Sequence, residues 1–178
     1  MKVINSKYEG KSFIKKKYSL TGKTIVHDGR ILKQIIANKD FGNIKAGTIG
    51  GYIQTIGNLS QEGLCWIYPD AKVYDEAYIY GNVQIDGQAC IYGKAFIMGY
   101  GLINGKTEIS DNVYINGFIN ISGITKLYGN VKIFNNNYLN NVSIGNNAIL
   151  YGNNYIDKLI ELNKSEQLYC CYLYDNIQ

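Results

Sequence analysis

From Ile67 onward every sixth residue is Ile, Val or Leu, a series that runs Ile67, Val73, Ile79, Ile85 and on to Leu139. One residue is then dropped, and Ile144 and Leu150 complete fifteen hexads. An α-helix needs a period of 3.6 residues and a plain strand a period of 2, so neither accounts for the pattern. Repetition at a fixed short period is the signature of a solenoid.

The rest of each hexad explains why. Two residues after each inward position stands a turn former, such as Asp75, Gly81, Gly87 or Asn135, with Pro69 at the first corner. Gly, Asn and Asp tolerate the positive φ that a sharp corner requires. Four residues after it comes a mostly small or β-branched side chain, as at Ala71, Ala77, Val83 and Ala89. Two inward positions with a corner between them describe one short strand per hexad. The expected fold is therefore all-β: a single-stranded parallel β-helix of about five triangular coils of 18 residues. At the usual strand spacing of about 4.8 Å it would be roughly 24 Å long. Each stacked Ile contributes about 1.5–3 kcal/mol, and open strand edges at the two ends require caps.

The chain divides into a capping region over 1–65, the hexapeptide body over 66–152 and a C-terminal capping or dimerisation segment over 153–178. Lys23–His27 and Arg30–Ala37 flank Asp28-Gly29, a strong hairpin signal. Residues 42–63 are expected to wind onto the first coil. Ile156–Leu162 and Gln167–Tyr174 read as a second hairpin, with a short helix around Asp157–Leu162 as the alternative. There is no run of about 18 apolar residues and no signal-peptide pattern, so a cytoplasmic protein is expected. Cys65, Cys90, Cys170 and Cys171 form no CxxC pair and have no His near them in sequence. All four read as free thiols, with no metal site and no cofactor.

Charge is uneven. Residues 1–45 hold eleven Lys or Arg against Glu9, Asp28 and Asp40, whereas residues 46–178 hold seven basic and eleven acidic side chains. Lys11, Lys15, Lys16, Lys17, Lys23, Arg30 and Lys33 therefore form a candidate basic partner-binding head, with Tyr8, Phe13 and Tyr18 interleaved for stacking on bases. On the body, residues flanking each inward position point outward, and the 18-residue period sorts them into three faces. The Ile67 face reads as polar beyond Trp66 and Tyr68, and the Val73 face as mixed. The Ile79 face presents Tyr78, Tyr80, Phe96, Met98, Tyr114, Phe134, Ile149 and Tyr151. Such a patch marks a contact surface, and the expected occupant is a second copy of the chain, a dimer being favoured, or else a terminal segment or a foreign partner.

These hexads resemble the left-handed β-helix superfamily of hexapeptide-repeat proteins, which includes trimeric acyltransferases. Residues 39–53, with Asn58-Leu59-Ser60-Gln61-Glu62-Gly63, Trp66-Ile67-Tyr68 and Ile79-Tyr80-Gly81-Asn82-Val83, resemble a phage and prophage branch of it. The resemblance covers about residues 24–152 and implies left-handed coiling. It also implies where catalysis would sit: these acyltransferases use a coil histidine as base and a loop interrupting a coil to shape the acyl-donor site. Here the sole histidine, His27, lies in the predicted hairpin, and the hexads run uninterrupted to Leu139. Cys90 is expected to point outward without a His partner. No catalytic residue is assigned.

The functional expectation is thus a non-catalytic recognition protein of phage type. A counter-defence inhibitor is the reading, one that binds a host protein, a ribonucleoprotein such as a CRISPR effector, or a nucleotide signal. The alternatives are an acyltransferase using acyl-coenzyme A and a structural virion or fibre segment.

Overall fold

In the computed structural model, residues 15–162, 167–169 and 172–174 are described. The inward residues of the hexads are fully buried, from Ile67, Val73 and Ile79 down to Ile144 and Leu150. The fifteen corner residues behave as their chemistry dictates. All adopt positive φ except Pro69, whose ring forbids it.

Parallel pairing stacks the hexads into three columns. On the Val73 face the ladder runs Lys72, Cys90, Glu108, Lys126 and Ser143. On the Ile79 face it runs Tyr78, Phe96, Tyr114, Lys132 and Ile149. The Ile67 face carries Trp66, Gln84, Leu102, Asn120, Tyr138 and Tyr155. The residue missing after Leu139 shortens the step between levels, so that Leu127 pairs with Ile144 and Leu139 with Ile156. The strand pairing nonetheless continues through it.

The stack has about six turns rather than five, because both ends contribute. At the start, Tyr52 and Ile53 pair in parallel with Lys72 and Val73, and Leu59 bridges to Ile79. At the other end the antiparallel hairpin expected over Ile156–Leu162 and Gln167–Tyr174 is replaced by further parallel coil. Leu168 lies on Leu150 and Leu173 on Ile156. The alternative helix is not formed either, since Asn154–Leu162 is a strand.

The N-terminal hairpin is present. Strands β1 (Tyr18–His27) and β2 (Arg30–Ala37) pair antiparallel around Asp28 and Gly29, both at positive φ. β2 pairs antiparallel with β3 (Ile49–Ile53), so the hairpin closes the upper edge of the Val73 sheet. The free edge of β1 is blunted by Lys23 and by a break in register between Leu20 and Thr24, devices that discourage further strand addition. Among the described residues no helix is long and apolar enough to cross a membrane.

Candidate interaction surface

On the Ile79 face the strand spacing forces like side chains together. Phe96 and Tyr114 stack at 5.5 Å and 6°, and Phe134 and Tyr151 at 4.9 Å and 9°. Tyr78 contacts Phe96 at 5.8 Å, and Tyr114 meets Phe134 at 5.7 Å, so the two stacked pairs join into one ladder. Tyr80, Met98 and Ile149 complete the patch, and all eight residues remain at least partly exposed.

Beside the patch, the corner toward the Ile67 face carries a separate pair of rings that flank counting overlooks. Residues three after each inward Ile stand on the edge between the Ile79 and Ile67 faces, and here they include Tyr100 and Phe118. They are 59% and 44% exposed, with ring centroids 5.5 Å apart. Beyond them a cleft of about 560 Å³ runs down the Ile67 face, with Leu64, Tyr68 and Leu102 among its lining. A second cleft of about 230 Å³ shares Phe118 and Asn120 with the first and reaches Tyr138 and Tyr155, which stack at 4.5 Å. Aromatic corner residues at an 18-residue spacing were the available signal.

Trp66, expected to be exposed, is fully buried. The loop Lys39–Gly47 folds over it and sets the Phe41 ring edge-on at 5.5 Å. Asp40 shapes that loop by accepting hydrogen bonds from Ala46 N and Lys45 Nζ, both at 2.9 Å. These two donors hold its carboxyl below the usual aspartate range. The loop's Asn43 lines the head of the cleft.

The basic head does not survive as a single surface. Lys17 is 1% exposed, and its Nζ donates to Cys65 O at 2.9 Å and Glu62 O at 3.1 Å, with Cys65 Sγ at 3.2 Å. Burial pushes the Lys17 ammonium down and the Cys65 thiol up. Lys17 is thus a cap for the first coil and is not available to a partner. Arg30 is engaged with Asp75 and lies over the Tyr74 ring at 5.2 Å. Lys23 lies 6.0 Å over the Tyr52 ring, while Lys15, Lys16 and Lys33 are exposed. Lys11, Tyr8 and Phe13 lie outside the described residues, as do Cys170 and Cys171.

His27 is not the surface residue expected. It packs edge-on against the buried Tyr74 at 5.6 Å, and its Nε2 is 3.9 Å from Cys90 Sγ, so Cys90 does have a histidine neighbour. Chemistry there is poorly arranged. The same Nε2 faces Asp28 Oδ2 at 3.6 Å, whereas a nucleophile relay requires the carboxylate on the other ring nitrogen. Burial also raises the Cys90 thiol above its ordinary value, which lowers the thiolate fraction. Asp28 is further occupied by the Tyr74 hydroxyl at 3.0 Å. Among the described residues no three His, Cys, Asp or Glu side chains are placed to hold a metal ion.

No family model matches this chain. A stretch of 38 residues is 55% identical to the uncharacterised acetyltransferase YdcK of Escherichia coli (strain K12). The match covers 21% of this chain and 12% of that protein. The solenoid and this partial match both fit the hexapeptide-repeat superfamily. Neither points to the phage branch within it.

Proposed function

We propose that this chain is a non-catalytic recognition protein that pairs with a second copy through the Ile79 face. The observation that carries the reading is the ladder of partly exposed rings from Tyr78 to Tyr151 on a rigid sheet. Such a face is self-complementary when two copies meet about a two-fold axis, and pairing would remove its apolar area from water. Light scattering on the purified protein tests the pairing. A dimer is expected for the natural sequence and a monomer for Phe96→Asp with Tyr114→Asp; a natural-sequence monomer would overturn it.

With that face occupied, the hairpin and the Ile67 face remain for a foreign partner. The finer reading is a phage counter-defence inhibitor acting on a host protein, a ribonucleoprotein or a nucleotide signal in the host cytoplasm. Its support is the resemblance of residues 39–53, 58–63, 66–68 and 79–83 to the phage branch. Affinity capture from bacterial lysate, with and without nuclease, reads this directly. A single captured species supports the inhibitor, and empty capture in both conditions removes the protein and ribonucleoprotein targets.

A second reading, acyl transfer from acyl-coenzyme A, is favoured by the partial match to YdcK and by the contact of His27 with the coil at Tyr74 and Cys90. It requires acetyl-coenzyme A turnover that His27→Ala abolishes. Turnover unaffected by that change, or none, would end it.

A further inference from the structure

The two clefts on the Ile67 face share Phe118 and Asn120 and form one groove, lined chiefly by rings and amides with the aliphatic Leu64, Leu102 and Ile119. At the corner ridge stand Tyr100 and Phe118, with Tyr138 and Tyr155 further along, so flat apolar rings recur down its length. Between them are neutral amides: Asn43, Asn82 and Gln84 toward the head, Asn120 midway, and Asn136 and Asn153 at the foot. Among the described residues Asp86 is the one carboxylate in the lining, and no lysine or arginine lines either cleft. The groove reaches from the level of Tyr68 to that of Tyr155, five coil steps or about 24 Å at the usual strand spacing.

Each property narrows the occupant. A cleft without a cation is unsuited to a phosphate backbone, because nucleic-acid binding draws its affinity from Lys and Arg on phosphates. Its length calls for a linear molecule rather than a compact one. Rings supply flat faces for apolar C–H surfaces, and amides supply both a donor and an acceptor for hydroxyl groups. Gln84 donates from Nε2 to Leu64 O at 2.7 Å, which fixes this amide in the lining. We infer that this groove binds a linear, uncharged oligosaccharide, its sugar faces on Tyr100 and Phe118 and its hydroxyls on the flanking amides. The inference rests on the recognition reading and names the ligand class of the face that pairing leaves free.

The test uses the full chain on immobilised neutral hexasaccharides (maltohexaose, cellohexaose, mannohexaose and chitohexaose), with hyaluronan and single-stranded oligouridylate as charged comparators. The strongest neutral binder is then titrated by calorimetry. Tyr100 and Phe118 are exposed, so Tyr100→Ala with Phe118→Ala should keep the fold, checked by circular dichroism. Expected is binding to at least one neutral hexasaccharide, weakened at least about tenfold by the double change and unchanged by Tyr92→Ala on the Val73 face. Binding to none of the four, preference for a charged polymer, or equal loss with Tyr92→Ala would overturn it. Capture of a lysate protein by a chain that ignores all four sugars sinks the saccharide and leaves the recognition reading standing. Loss of both sinks the two together.

Discussion

Gly101 shows how little room the stack leaves between one level and the next. Its φ is +138°, and a Cβ there would overlap the carbonyl oxygen of Ile119 on the next level. Backbone cannot move aside as a flexible side-chain tip does, so steric overlap adds to conformational strain. Gly101→Ala is expected to cost about 3–5 kcal/mol. Gly22 also has positive φ, +90°, but nothing lies within 4 Å of the Cβ position. Gly22→Ala is expected to cost only about 1–2 kcal/mol. Urea titration of both variants checks the contrast, and similar midpoints would refute the role of interlevel contact. At this scale the sequence spoke unevenly. Fourteen corners were legible because Gly, Asn and Asp are chemically distinct from what surrounds them. Lys17 was not legible, since nothing separates it in sequence from Lys15 and Lys16. Only the open carbonyls of Glu62 and Cys65 at the first coil mark it out.

Among the elements, the hairpin of β1 and β2 was readable because Asp28-Gly29 sets a turn geometry locally. The final coil was not, because its pairing is decided far away. Asn163-Lys164-Ser165 between two apolar segments has the form of a hairpin loop, yet the 18-residue step from Leu150 to Leu168 is the one the stack obeys. Trp66 was misplaced for a similar reason: the ring that covers it, Phe41 in the loop Lys39–Gly47, lies 25 residues earlier. That loop yields a pH-dependent prediction. The Asp40 carboxyl sits below its unfolded value, so the stabilisation it gives is complete above about pH 4 and is lost as pH falls through its folded value. Acrylamide quenching of Trp66, the sole tryptophan, should therefore rise on acidification. In Asp40→Ala it should already be raised at pH 7 and lack that acid step. Identical acid profiles for the two proteins would show that Asp40 does not hold the loop.

The molecule as a whole is a one-dimensional stack in which each level touches only its neighbours. Stability should then be a sum of level and interface contributions, and damage should spread differently from the middle and from an end. Ile115 is fully buried between Ile97 and Ile133. Ile156 is equally buried but lies on the penultimate level, between Leu139 and Leu173. Both changes to Ala remove the same atoms, at about 2–5 kcal/mol of local packing. Ile115→Ala interrupts the continuous core, so neither half can keep its neighbours without repairing it, and the loss should appear in full as a lower melting temperature. Ile156→Ala can be relieved by opening the last coil while the levels above stay closed. Its melting temperature should fall by much less, and its extra hydrogen exchange should be confined to residues from about 149 onward. Exchange that rises uniformly in both variants would mean that the stack unfolds as one cooperative unit, with the C-terminal coil as firmly joined to it as the middle.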